Sequence, residues 1–218
     1  MKIITFLLAL WLPLSAWAGS YEDLEEAFIR NDPEMIIAVI NRGMDVNTVD
    51  RQGNTLLIQA VKSDNAQVVD YLIKRKARLN TRNKNGETAL SLAAYLGKLP
   101  LVKRLVAAGA DINFFGWSPL AYAAYQGHLE VAKYLIEQGA EVNATTENGS
   151  TPIFFAARFG HEDLVKLLLD NDADVSIENE HKETAVDWAV KGRNTKVEAI
   201  LREAGGRSGK SMTLDMSK

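Results

Sequence analysis

Three histidines and one glycine-lysine-serine run are the first residues to weigh for chemistry in this 218-residue chain. His128 and His161 each follow a glycine directly and stand 33 positions apart, while His181 comes later in a polar stretch. A zinc site needs three or four such ligands converging on one point. Two histidines set by a fixed period point to a repeating structural position, where the ring bonds locally. No metal site or cofactor is expected. Gly209-Lys210-Ser211 has the ending of a phosphate loop, but that loop needs a glycine five residues before Gly209, a strand before it and a helix after it. Ala204 occupies the position, in a polar segment carrying neither element. The acidic residues are scattered as solvated charge, with no nucleophile elbow or paired carboxylates. The chain is expected not to be an enzyme.

The aromatic residues carry more weight. Phe114, Phe115 and Trp117 crowd into four positions around Gly116, and Tyr95, Tyr125, Arg158 and Phe159 recur near them at similar separations. Aromatic side chains with arginine are the composition of binding hot spots.

The elements that position these residues come from a period. Leu24, Leu57, Leu90, Leu120, Ile153 and Val186 lie 33, 33, 30, 33 and 33 residues apart. Each is followed three positions later by alanine: Ala27, Ala60, Ala93, Ala123, Ala156 and Ala189. Such a period marks a solenoid, whose units cannot bury their own apolar faces and must stack on their neighbours. Each unit reads as two short helices. Ser118 and Thr151 stand where an N-cap hydroxyl accepts from free amides, and Pro119 and Pro152 occupy the first helical position, which needs no donor. Gly97, Gly127 and Gly160 end the first helix in a left-handed turn, where Asn31, Asp64 and Arg193 stand in the other units. Pairs such as Val68-Val69, Leu101-Val102 and Leu164-Val165 give the second helix its apolar stripe. Gly43, Gly109, Gly139 and Gly205 end that helix, with Lys76 and Asp172 in the remaining two units.

The fullest copies, Gly116–Asn143 and Asn148–Ser176, combine Ser118-Pro119-Leu120 or Thr151-Pro152-Ile153 with Gly127-His128 or Gly160-His161. These units resemble the ankyrin repeat, from about Tyr21 to Gly205. The resemblance implies an all-α ankyrin-repeat solenoid of six helix-turn-helix repeats joined by short hairpin fingers, with the first and last units as caps. It also implies protein binding through a concave face, where Tyr95, Leu96, Tyr125, Gln126, Arg158 and Phe159 would lie.

One finger breaks the pattern. Asn80 reaches Gly86, and Asn143 reaches Gly149, in six residues, but Asn113 reaches Gly116 in three. Phe114-Phe115-Gly116-Trp117 replaces polar runs such as Thr81-Arg82-Asn83. Exposed aromatics at a projecting finger mark a partner-binding site, whereas aromatics folded back on the stack would be packing. The sequence leaves both open.

The ends are different. Lys2, an apolar run from Ile3 to Leu14 and Ala16-Trp17-Ala18 read as a secretory signal peptide over residues 1–18, too short to span a membrane, with cleavage before Gly19. Residues 19–206 then form the repeat domain, and residues 207–218 a short polar tail expected to be disordered and dispensable. The chain holds no cysteine, which a continuous stacked core tolerates after export. The formal charge is −3, and removal of residues 1–18, which hold Lys2 and no acid, leaves −4. That balance argues against nucleic acid or an anionic membrane as partner. The expectation is a periplasmic monomer that binds a folded protein. A short ankyrin chain with a signal resembles the periplasmic ankyrin proteins of Gram-negative bacteria. Some of these are associated with catalase activity and peroxide protection, and others neutralise toxins delivered to the periplasm. The resemblance thus implies a stress-protection role or, alternatively, an immunity role.

Overall fold

The structure, a computed structural model, describes the backbone of residues 14–209 and the side chains of residues 21–209. Most of the expected signal peptide, residues 1–13, and the tail from residue 210 lie outside the described residues. Twelve helices stand in six antiparallel pairs among the described residues: α1 (Leu14–Ile29) and α2 (Pro33–Asn41), α3 (Leu56–Lys62) and α4 (Ala66–Lys74), α5 (Ala89–Tyr95) and α6 (Leu99–Ala107), α7 (Pro119–Gln126) and α8 (Leu129–Glu137), α9 (Pro152–Phe159) and α10 (Glu162–Leu169), α11 (Ala185–Lys191) and α12 (Thr195–Glu203). This is an all-α solenoid of six repeats. The backbone of α1 passes through Ala18-Gly19, the expected cleavage point, without a break.

The period has a packing cause. Leu24, Leu57, Leu90, Leu120, Ile153 and Val186 are at most 1% exposed, and the alanines three positions later are fully buried. Leucine fills the space between repeats, while alanine lets neighbouring inner helices approach closely. The inner helices α3, α5, α7, α9 and α11 therefore pack against one another more tightly than the outer helices do, which curves the stack and puts the inner helices on its concave side. The outer helices seal the opposite face with Val69, Val102, Ala132 and Val165, all buried.

Polar side chains tie each unit to the next. From the second unit on, the residue after the left-handed turn that ends the inner helix reaches back one repeat: Asn65 Nδ2 donates to Asn31 Oδ1 at 2.7 Å, and Lys98 Nζ to Asp64 Oδ2 at 2.7 Å. His128 Nε2 lies 2.9 Å from the Tyr95 carbonyl oxygen and His161 Nε2 3.2 Å from that of Tyr125. The expectation that these rings bond locally is corrected, because each staples its own repeat to the preceding helix end. The closing asparagines do the same work at the other end of the unit. Asn113 Oδ1 accepts from the Glu141 amide, and Asn143 Oδ1 from the Asp174 amide, each at 2.9 Å.

The left-handed turns fall where the sequence places them, including the non-glycine positions. Lys76, Asp172 and Arg193 hold φ of 61°, 63° and 58°, each at a steric cost of about 1–2 kcal/mol that glycine would avoid. One cap differs from expectation. Ser118 Oγ accepts from the Ala121 amide at 3.2 Å, but the Thr151 hydroxyl is buried without a partner among the described residues. The Phe154 amide, which a Thr151 cap would serve, donates instead to the Thr151 carbonyl at 3.0 Å.

The start of the tail is not disordered. Thr184 Oγ1 donates to the Arg207 carbonyl at 2.7 Å, and the Gly209 amide donates to Asp187 Oδ2 at 2.7 Å. The same carboxylate oxygen accepts from the Thr184 amide at 2.8 Å, completing a capping box on α11. Residues 207–209 thus close the end of the sixth repeat. Truncation after Gly206 should leave the fully buried Asp187 without one of its two amides, costing about 1–3 kcal/mol. Truncation after Gly209 should cost little. Urea melts of the two truncations check this, and equal midpoints would show that the docked tail carries no stability.

Candidate functional site

Three rows of side chains line the concave side, each fixed by its offset from the key leucine. Two positions after it stand Gln59, Leu92, Tyr122, Phe155 and Trp188, and five positions after it stand Lys62, Tyr95, Tyr125, Arg158 and Lys191. The third row, one position after the finger glycine or its equivalent, is Asn54, Glu87, Trp117, Ser150 and Glu183. In the central repeats these rows merge into one aromatic band. Trp117 packs on Phe155 with ring centroids 4.5 Å apart, on Tyr122 at 5.1 Å and on Tyr125 at 5.8 Å. Tyr95 meets Tyr122 edge-on at 5.8 Å and stacks on Tyr125 at 6.4 Å. Tyr125 continues to Phe159 at 4.7 Å, and Phe155 to Trp188 at 5.5 Å. Such edge and tilted pairs suit the aromatic quadrupole and fix the rings against one another.

The shortened finger is responsible for the centre of this band. The other interior fingers close on themselves through a backbone bond, such as Asn83 N to Glu87 O at 2.9 Å or Thr146 N to Ser150 O at 2.9 Å. They also pair with a neighbour, Lys84 N with Gln52 O at 3.1 Å and Glu180 N with Asn148 O at 3.0 Å. Among the described residues, Phe114–Trp117 makes none of these backbone bonds. Three missing residues remove the hairpin, and Trp117 drops onto the inner helices.

The two readings of the aromatic finger therefore divide by residue. Trp117 is half-buried in the band, and Phe114 lies under the Arg82 guanidinium, 4.4 Å from its ring centroid. Arg82 Nη2 also donates to the Phe115 carbonyl at 3.2 Å, anchoring the finger. Phe115 is 73% exposed, and beside it lies an open cleft of about 410 Å³ lined by Asn113, Phe114, Glu141, Asn143 and Thr145. Phe159 is 47% exposed at the far end of the band. Of the expected site residues, Trp117, Tyr95, Tyr125 and Phe159 come together. Phe114 and Phe115 form a separate outer lobe. Arg158 lies in the same row as Tyr125, half-buried, with Nη1 enclosed and unbonded among the described residues.

Tyr122, Phe155 and Trp188 extend the band but were not among the expected residues. Their signal was present as a register: two positions past the key leucine, three successive repeats carry an aromatic. Burial, and then the nearby Glu87 and Glu147 carboxylates, push the Tyr122 phenol up to about 12, so it stays neutral and protonated at ordinary pH. Among the described residues no group of three or more histidines, cysteines or acids is placed to hold a metal. No described helix is long and apolar enough to cross a membrane.

A stacked scaffold with an aromatic groove suits a class of protein that presents a surface to other proteins. Models of ankyrin repeats match residues 76–146, 138–210 and 39–93, well over half of the sequence. The chain belongs to the ankyrin-repeat family, and it is a protein-interaction module. It is similar to NF-kappa-B inhibitor alpha of Sus scrofa, 35% identical over 96 residues, covering 41% of this chain and 31% of that protein. It is also similar to the B-cell lymphoma 3 protein homolog of Mus musculus, 37% identical over 79 residues, covering 36% and 18%. A third relative is alpha-latrotoxin-Lg1a of Latrodectus geometricus, 31% identical over 99 residues, covering 44% and 7%. The matches thus span less than a third of each relative's length. All three are animal proteins, so they lend no support to the resemblance to bacterial periplasmic proteins.

Proposed function

We propose that this module binds one folded protein partner through the aromatic band of its concave face, and that it does so in the periplasm after export. The observation that carries the reading is the band itself: seven interlocked aromatic rings across four repeats, ending in the exposed Phe159. Aromatic rings left at the surface are costly unless something covers them, and Phe159 at 47% exposure is the clearest case in the band. The mildly acidic charge favours a protein over a nucleic acid. No catalytic role is assigned to the chain, which acts by occupying a partner's surface as a monomer. The export assignment rests on the apolar run and Ala16-Trp17-Ala18.

Osmotic-shock release followed by N-terminal sequencing tests the location, with a mature chain beginning at Gly19 as the expected result. Intact Met1 in the cytoplasm would end the periplasmic reading. Capture from the same periplasmic extract with immobilised protein tests the partner claim. Neighbouring genes distinguish the two roles. A catalase gene beside this one, with peroxide sensitivity on deletion, fits stress protection. A toxin gene beside it, with deletion lethal only when the toxin is present, fits immunity.

A further inference from the structure

The repeats provide an internal template for a site that one of them leaves half-built. In the last repeat Glu183 accepts hydrogen bonds from Trp188 Nε1, at 2.8 Å, and from Lys191 Nζ. Burial works to raise the Glu183 carboxyl, yet these donors hold it below its usual range. In the second repeat the equivalent pair is Lys62 Nζ and Asn54 Oδ1, 3.2 Å apart. A lysine eight residues along thus reaches the position after the finger glycine in both units.

The third repeat keeps the carboxylate and lacks the lysine. Glu87 stands at the Glu183 position, but the places of Trp188 and Lys191 are taken by Leu92 and Tyr95. Its contact is Asn83 Nδ2 at 2.7 Å, and it makes no ion pair among the described residues. Glu147 lies so close to Gly116 that a Cβ there would be 2.5 Å from its Oε1. It too forms no ion pair among the described residues. Arg82, the cation that acts on the Tyr122 phenol, is engaged on Phe114 and the Phe115 carbonyl. Both carboxylates act on the Tyr122 phenol, and Tyr122 packs with Tyr95 and Trp117, whose ring faces attract a cation.

We propose that a basic segment of the protein partner docks here, its lysine or arginine side chain taking beside Glu87 the place that Lys191 takes beside Glu183, against the Tyr95 and Tyr122 rings. This rests on the reading of the concave face as the docking surface and adds the chemistry of what it takes. Carboxylates and aromatics supply complementarity of charge and of polarisability, which sets specificity and association rate.

The test uses the full mature chain and two fluorescein-labelled decapeptides, one of alternating lysine and glycine, the other of alternating glutamate and glycine. Polarisation should show that the lysine peptide binds and the glutamate peptide does not, with binding weakened by added salt. Glu87→Gln keeps an oxygen for Asn83 and so preserves the fold, yet it should weaken the lysine peptide about tenfold. Glu137→Gln on the exposed side of α8 should have no effect. Tyr95→Lys, which rebuilds the internal lysine of the last repeat, should abolish binding by filling the site from within. Equal binding to wild type and Glu87→Gln, equal binding of both peptides, or no binding of the lysine peptide would each overturn the inference. Loss of native partner capture in Trp117→Ala but not in Glu87→Gln would leave the groove reading intact and remove only the basic segment.

Discussion

Leu135→Ala should lower stability by about 2–5 kcal/mol, the usual range for a large-to-small change in a packed core. Leu135 is fully buried in α8, the outer helix of the fourth repeat, and that repeat has a neighbour on each side. Its side chain contributes to the core within its own helix pair and to both interfaces, so the cavity left by truncation cannot collapse from one direction. For a domain of this size the melting temperature should fall by roughly 2–4 °C per kcal/mol, hence on the order of 10 °C. Lys133→Ala, on the exposed side of the same helix, should stay within about 0.5 kcal/mol of wild type. Stability in a stack is a sum of repeat and interface terms, so an interior repeat weakened this far can uncouple the two halves. Urea unfolding followed by circular dichroism reads both effects, as a lower midpoint and a broader transition. An unchanged midpoint would mean that the interior leucine row does not carry the stack.

The fold was legible because its determinants are local and repeated. A leucine and an alanine three residues apart, recurring in six units, state both where helices meet and how closely. The left-handed turns at Asn31, Asp64, Lys76, Asp172 and Arg193 followed from register, which at Lys76 and Arg193 runs against the preference of the residue type. What the sequence did not carry was direction across repeats. Nothing in Gly127-His128 says that the ring bonds to Tyr95 in the preceding unit rather than within its own turn, because the acceptor is a carbonyl, present at every position. The docked tail was hidden for a similar reason. Gly209 reads as part of a disordered polar run, yet its amide meets a carboxylate that the last repeat leaves half-satisfied. The site was legible in part. Single residues at the shortened finger stood out by contrast with their neighbours. The row of Tyr122, Phe155 and Trp188 did not, since an aromatic at a buried-looking register reads as core until its neighbours are known.

Trp117 and Phe115 should respond differently, although the sequence presents them as one aromatic finger. On sequence alone, Trp117→Ala would be expected to weaken binding and leave the melting temperature nearly unchanged. The geometry revises this. Trp117 is in contact with Phe155, Tyr122 and Tyr125, and it seals the place where the missing hairpin would otherwise cover the inner helices. A fully buried tryptophan cut to alanine costs about 3–5 kcal/mol, and a half-buried one less, about 2 kcal/mol. The loss also frees Tyr122 and Tyr125 to rotate, so the docking surface is no longer formed in advance. Trp117→Ala should therefore lower the melting temperature by several degrees and weaken partner capture by thirtyfold or more, the usual consequence of losing about 2 kcal/mol at a hot spot. Phe115→Ala removes an exposed ring with no aromatic neighbour in the band, so its melting temperature should match wild type while capture weakens if the partner reaches the finger. Phe159→Ala probes the far end, where the ring is 47% exposed but packs on Tyr125 at 4.7 Å, so a small loss of stability accompanies weaker capture. Pull-down from periplasmic extract beside thermal melts of the three variants separates the effects. Full capture by folded Trp117→Ala at a temperature below its melt would show that the band is core and that the partner docks elsewhere.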